Sequence, residues 1–145
     1  MCPIDYALEV FGDRWTLLIL RDLLLVGKRH YHELLASREG ISTNILAARI
    51  RKLEAYGLLE RRRSSSDRRE LIYQPTDRAI DLMPVLVEIG YWSASHNPNT
   101  AFPLANFGRY RKDRSRWIAE LTASARQRRD QDRPAQRAAR GKGMP

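Results

Sequence analysis

Residues 40–63, G-I-S-T-N-I-L-A-A-R-I-R-K-L-E-A-Y-G-L-L-E-R-R-R, constrain this chain more than any other stretch. Ser42 stands where a side-chain oxygen can cap the first free amides of a helix. Leu46, Ile50, Leu53 and Gly57 then follow at spacings of four, three and four, so they line one face. At roughly 100° per residue, Thr43, Asn44, Ala47, Ala48 and Arg51 fall on the opposite side. That outer face carries small, hydrogen-bonding and cationic groups and no large apolar one. Gly57 ends the helix, and Leu58-Leu59-Glu60-Arg61 begins a strand. A polar-faced helix opening on Ser-Thr-Asn and leading into an arginine-rich strand has the pattern of a recognition helix followed by a wing. An ordinary amphipathic surface helix has the same periodicity, so the flanking elements must decide.

Upstream, Pro3 favours a helix start, and Ile4, Ala7, Leu8 and Phe11 repeat at helical spacing until Gly12. Asp13 can cap a second helix with Trp15, Leu18, Ile19, Leu23 and Val26 as core candidates. Arg21 and Asp22 are expected on its outward face. A short helix from about His30 to Ser37 turns Tyr31, Leu34 and Leu35 inward. With the loop 38–41 and the Ser42-capped helix it makes a helix-turn-helix. Downstream, Leu58–Arg62 and Glu70–Gln74 are expected strands around a Ser64–Asp67 turn. Thr76 caps a long helix running to Trp92, and Pro84 should kink it or mark a second start.

This order predicts a mainly α fold with a two-stranded β wing: a winged helix-turn-helix. Three regions are expected: a winged helix-turn-helix DNA-binding domain over 1–92, an extension with one amphipathic helix over 93–129, and a basic disordered tail over 130–145. The extension carries an apolar patch of Phe102, Leu104, Phe107 and Tyr110. Its helix, Arg114–Arg128, uses Trp117, Ile118, Leu121 and Ala125 and is expected to pack against the dimer or flanking DNA.

Charge sharpens this division. Residues 1–92 hold 14 Lys and Arg against 13 Asp and Glu, whereas residues 93–145 hold 12 against 4. The overall +9 therefore reports a basic C-terminal part, which attracts any polyanion in a salt-sensitive way. In the first part the cations cluster locally as Arg61, Arg62, Arg63, Arg68 and Arg69.

Several function classes are disfavoured. No apolar run approaches the roughly 20 residues that span a bilayer, and the N-terminus has no secretory pattern, so a cytoplasmic protein without a membrane partner is expected. One cysteine with three histidines suggests no metal site; His30 and His32, two apart, should point to different sides of a helix. Neither a glycine-rich phosphate loop, a Gly-x-Ser-x-Gly turn nor a His-Glu-x-x-His motif occurs, so no enzyme and no cofactor are expected.

The residues also carry a specific resemblance. Cys2-Pro3-Ile4 with Asp13-Arg14-Trp15-Thr16-Leu17-Leu18-Ile19-Leu20-Arg21-Asp22-Leu23 resembles the N-terminal signature of HxlR-type bacterial transcriptional regulators. Tyr31-His32-Glu33-Leu34, Gly40 to Leu46, Arg51 to Glu54, Tyr56 to Arg61, Tyr73 to Thr76 and Pro84 to Leu86 continue it, so the likeness covers residues 2 to 92. It implies a homodimeric, sequence-specific regulator of transcription, with a recognition helix in the major groove of double-stranded DNA and a wing near the minor groove. It also implies dimerisation through the first helix and the helix after the wing, here Ile4, Leu8, Phe11, Leu82, Leu86, Ile89 and Trp92. Two departures stand out. The wing tip Ser66-Asp67-Arg68-Arg69 lacks the proline frequent in the family and is closer to the Asp-Arg-Arg wing of the related MarR group. The stretch after Ser93 has no counterpart.

On this reading Asn44 could read adenine, Arg51 guanine or phosphate, and Thr43 and Ala47 a thymine methyl. Ser42 is an N-cap, a phosphate contact through the helix start, or both. Arg49 is structural or binds phosphate. At the wing, Asp67 can pair with Arg69 while Arg68 or Arg69 enters a narrow minor groove. Lys28 and Arg29 are candidate phosphate contacts. A homodimer predicts an inverted-repeat operator with half-sites about one helical turn apart.

An effector, either a small molecule or an oxidant, could act at two places. Trp15, Tyr31, Trp92 and Phe102 either line a pocket or are core aromatics. Cys2, beside a proline and a helix start, is either a redox sensor, as in some members of the family, or an ordinary terminal thiol. The alternative function is a winged-helix module for protein contacts, or for non-specific nucleic-acid binding driven by the basic tail.

Overall fold

Asp13 fixes the first corner of the molecule. In a computed structural model that describes residues 1–132, Asp13 Oδ1 accepts the amides of Trp15 (2.9 Å) and Thr16 (3.0 Å). This cap separates α1 (Pro3–Phe11) from α2 (Arg14–Arg21). Ile19, Leu20, Leu23 and Leu24 are buried, so α2 and its extension form the central element of the core.

The second half of that element departs from the sequence expectation. Asp22–Val26 is a π-helical turn rather than a continuation of α2, ended by Gly27 at φ 84°. Asp22, expected outside, is 2% exposed. Its carboxylate is compensated: Arg21 donates to Oδ1 from Nη2 (2.7 Å), Lys28 to Oδ2 (2.9 Å), and the Ser37 hydroxyl also donates to Oδ2. A carboxylate so surrounded can be buried, because its lost hydration is replaced by charged and hydroxyl donors. Val26, expected inside, is 60% exposed, since the wider π turn rotates it off the helical register.

Next come α3 (Tyr31–Leu35) and α4 (Thr43–Ala55). Ser42 Oγ accepts the Ile45 amide at 3.3 Å, and Leu46, Ile50 and Leu53 are buried as their spacing requires. Gly57 (φ 68°) then turns the chain into the antiparallel pair β1 (Leu59–Arg63) and β2 (Leu71–Pro75). Arg61 stands opposite Tyr73, and each strand begins one residue later than expected. The backbone amide of Tyr73 donates to the Arg29 carbonyl (2.7 Å), tying the wing to the segment before α3.

Thr76 accepts the Ala79 amide and caps α5 (Asp77–Ile80); Pro84 then sits in the first turn of α6 (Met83–His96). The proline therefore marks a second start. Helix α6 runs through Ser93 to His96, so the compositional change at Ser93 does not interrupt it. No helix among the described residues is long and apolar enough to cross a membrane.

A 3-10 turn (Leu104–Phe107), α7 (Gly108–Lys112) and α8 (Arg114–Gln131) complete the described chain. Helix α8 packs on its own chain, where it was expected on a dimer or on DNA. Ile118 and Ala125 are buried in the common core. Phe107 and Tyr91 join an aromatic cluster with Tyr110 and Trp117. At the far end Arg128 donates to the Leu24 carbonyl (2.5 Å), Arg129 to Asp77 (2.5 Å), and Gln74 to the Arg129 carbonyl (3.3 Å). Of the expected tail, 133–145 lies outside the described residues; Asp130 and Gln131 close α8.

Candidate nucleic-acid interface

The two faces of α4 differ sharply. Its inner face is buried, while Ser42, Thr43, Asn44 and Arg51 are exposed and Ala47 is half-buried. Among the described residues the side chains of Asn44 and Arg51 make no hydrogen bond or ion pair, so their donors are free. Tyr31 Oη donates to the Thr43 carbonyl (3.1 Å) and anchors the start of α4 to α3. Arg49, on the flank, donates to Asp13 Oδ1 (2.9 Å), and Lys52 lies 3.4 Å from Oδ2. These cations serve the core of the fold.

The wing tip is organised by its backbone. Ser64 donates its amide to Glu70, and Glu70 to the Asp67 carbonyl. Asp67 Oδ1 accepts the backbone amide of Arg69 (2.9 Å), where a pairing of the two side chains was expected. An aspartate accepting the amide two residues on is a turn device that leaves the arginine side chain loose. Arg68 and Arg69 are exposed, with side chains unpaired among the described residues. Arg61 is instead drawn back to Glu54, and Arg63 donates to the Arg69 carbonyl.

The segment before α3 departs from expectation. Lys28 lies between Asp22 (2.9 Å) and Ser37 (2.8 Å), and Arg29 is paired with Asp132. Both cations are thus engaged within the chain. His30 precedes α3 on extended backbone (φ −110°, ψ 150°) and is not on its helical wheel. As a result the His30 and His32 rings stack, 5.5 Å apart and 12° from parallel, rather than pointing to different sides. Glu33, against His30, is held below the ordinary carboxylate range: partial desolvation opposes this, but the His30 hydrogen bond and the Arg29 amide prevail.

Of the residues expected at a dimer face, Ile4 (71%), Leu8 (59%), Ile89 (43%) and Trp92 (64%) are exposed large apolar side chains. Phe11, Leu82 and Leu86 pack partly against the core. Val10, absent from the expected set, is the residue that buries α1. The four aromatics considered for an effector pocket engage separate partners. Arg14 lies over Trp15, Tyr31 reaches α4, Trp92 stacks on His96 and Phe102 packs on Phe107. Cys2 is exposed at the N-cap of α1, and the amides of Asp5 and then Ile4 lower its thiol pKa.

A capped helix with a free polar face, held by α2 and α3 and followed by a basic hairpin, defines a winged helix-turn-helix transcription regulator. The HxlR-like helix-turn-helix family matches residues 10–101, and the chain belongs to that family, whose members are transcriptional regulators and not enzymes. A helix-turn-helix regulator of Mycobacterium tuberculosis is 37% identical over 100 residues, 69% of this chain and 62% of that protein. One from Synechocystis is 32% identical over 87 residues, 60% of this chain and 64% of that protein. The chain thus spans less than two thirds of the length of either. Among solved structures, the reduced transcriptional regulator YodB of Bacillus subtilis is 28% identical with a TM-score of 0.56, covering 69% of this chain and 99% of that one. The oxidised redox regulator HypR, 24% identical with a TM-score of 0.57, shares the fold over 66% of this chain and 98% of its own.

Proposed function

We propose that this chain is a homodimeric, sequence-specific regulator that binds an inverted-repeat operator in double-stranded DNA in the cytoplasm. Helix α4 enters the major groove, with Asn44 and Arg51 reading base edges, Thr43 and Ala47 touching thymine methyls, and Ser42 beside a phosphate. Arg68 and Arg69 reach the minor groove from the wing tip, while Ile4, Leu8, Ile89 and Trp92 join two copies. We leave Lys28 out of the contact set because its ammonium is already paired inside the chain. Residues 1–92 act as the DNA-binding and dimerisation unit, and the extension over 93–129 buttresses it.

One observation carries this reading: the exposed face of α4 offers unpaired Asn44 and Arg51 side chains on a helix whose other face is locked into the core. Paired hydrogen-bonding groups on a rigid helix are what base-edge recognition requires. The test is selection of bound duplexes from a randomised pool at about 150 mM salt, near physiological. Enrichment of a two-fold-symmetric motif, bound roughly 10³-fold more tightly than a scrambled duplex, is the expected result. A pool that stays random while binding steeply with salt would overturn the reading in favour of a tail-driven, non-specific binder.

Cys2 supports a second, regulatory reading. An exposed thiol whose pKa is lowered by helix-start amides is a better nucleophile toward oxidants than an ordinary thiol, and the similar YodB has been solved both reduced and diamide-treated. Oxidation at Cys2, beside the proposed α1 contact, would change how two copies meet.

A further inference from the structure

We propose that His30, His32 and Glu33 form a three-ligand site for a divalent transition-metal ion of the zinc class, with Glu70 of the wing orienting His30. Metal binding at this site stands apart from the DNA-binding reading above.

The donor atoms of His30, His32 and Glu33 all lie within 4.8 Å of one another. Ligand atoms around a tetrahedral zinc with bonds of about 2.0–2.1 Å are roughly 3.3 Å apart. The remaining gap closes by side-chain rotation, because His32 is exposed and its neighbours are held. The Leu34 amide donates to the His30 carbonyl (3.1 Å), fixing the first turn of α3, and the Arg29 carbonyl accepts Tyr73 of β2 (2.7 Å). Extended backbone at His30 turns its ring over that of His32 and sets its Nδ1 against Glu33 Oε1.

The second shell is also present. His30 Nε2 lies 2.9 Å from Glu70 Oε1. A ligating histidine characteristically donates its other ring N–H to a carboxylate, which fixes the tautomer and strengthens the metal-facing nitrogen. With Glu70 Oε1 in ion-pair range, a small rotation of the ring lets Nε2–H donate to it and leaves the Nδ1 lone pair for the metal, which takes the place of the proton shared with Glu33. Two neutral imidazoles and one carboxylate suit zinc, cobalt or nickel and leave a coordination position for water. Because Glu70 immediately precedes β2, an occupied site ties the first turn of α3 to the base of the wing.

Zinc titration of the full, metal-free chain against a chromophoric chelator tests this. One ion per chain is expected, with a Kd of about 10 µM or tighter. His32→Ala, on the surface and therefore benign to the fold, should weaken binding at least about tenfold. Glu70→Gln, which keeps the shape of the orienting group, should weaken it by roughly 10–100-fold. Cobalt should give a visible spectrum without a thiolate band, unchanged in Cys2→Ser. Unaltered affinity in His32→Ala, no binding below about 1 mM, or a thiolate band that disappears in Cys2→Ser would each overturn the assignment.

Discussion

Arg49 of α4 donates from Nε to Asp13 Oδ1 (2.9 Å), the same oxygen that caps α2 through Trp15 and Thr16. One carboxylate therefore starts the central helix and positions α4 against it. Its second oxygen accepts the Thr16 hydroxyl (2.5 Å) and faces Lys52.

This arrangement makes stability acid-sensitive. Burial raises the Asp13 pKa, but the Thr16 hydroxyl, the two amides and Arg49 outweigh it and hold the group at about 2, against an ordinary 3.8. Because the folded value is the lower one, the stabilisation is complete above the unfolded pKa and is lost as pH falls through the folded one. Asp13→Ala should cost about 2 kcal/mol near neutrality and flatten the loss of stability between roughly pH 4 and 2. Urea unfolding at several pH values measures both.

Gly27 should resist substitution. Its φ of 84° is strained for any side chain, and an added Cβ would lie 3.0 Å from Arg128 Nε. Gly27→Ala is expected to destabilise by about 1–2 kcal/mol. Denaturant titration with far-UV circular dichroism reads this, and a neutral effect would mean that neither the left-handed backbone nor Arg128 of α8 resists a side chain at this position.

The proposed dimer face makes a separate prediction. Ile4→Glu with Leu8→Glu places two charges on an exposed apolar helix face, where they cost the monomer little. Sedimentation should show a monomer where the unaltered chain sediments as a dimer. A monomer in both would remove α1 from the interface.

Base reading and phosphate attraction can be separated. Asn44→Ala should cost about 1–3 kcal/mol on the selected operator and relax specificity at one base position. Arg69→Ala should weaken all duplexes alike and reduce the salt slope by about one unit. Anisotropy titrations at several salt concentrations distinguish them, and an unchanged slope in Arg69→Ala would take the wing off the DNA.

If Cys2 senses oxidants, diamide or a quinone should change operator affinity in the unaltered chain and leave Cys2→Ser unaffected. Equal responses in both would exclude it.

What was legible in the sequence is the local grammar. Asp13, Ser42 and Thr76 cap helices as their positions indicated, Gly57 ends α4, and Pro84 restarts a helix. The three- and four-residue spacing of Leu46, Ile50 and Leu53 assigned the buried face of α4, because helical geometry alone relates those positions. Capping, φ preference and periodicity act within a few residues, so a sequence states them directly.

Tertiary structure decided the rest. Asp22 is buried only because Lys28 and Ser37 arrive from beyond the π turn to replace its water. His30 meets His32 because its backbone is extended where a helix was expected, and it meets Glu70 only because the Arg29 carbonyl pairs with β2. Helix α8 folds onto its own core through partners such as Leu24, Gln74 and Asp77, 52 to 104 residues away in sequence. Such contacts depend on how separate elements are brought together in space, and neither side-chain type nor short-range spacing encodes that distance.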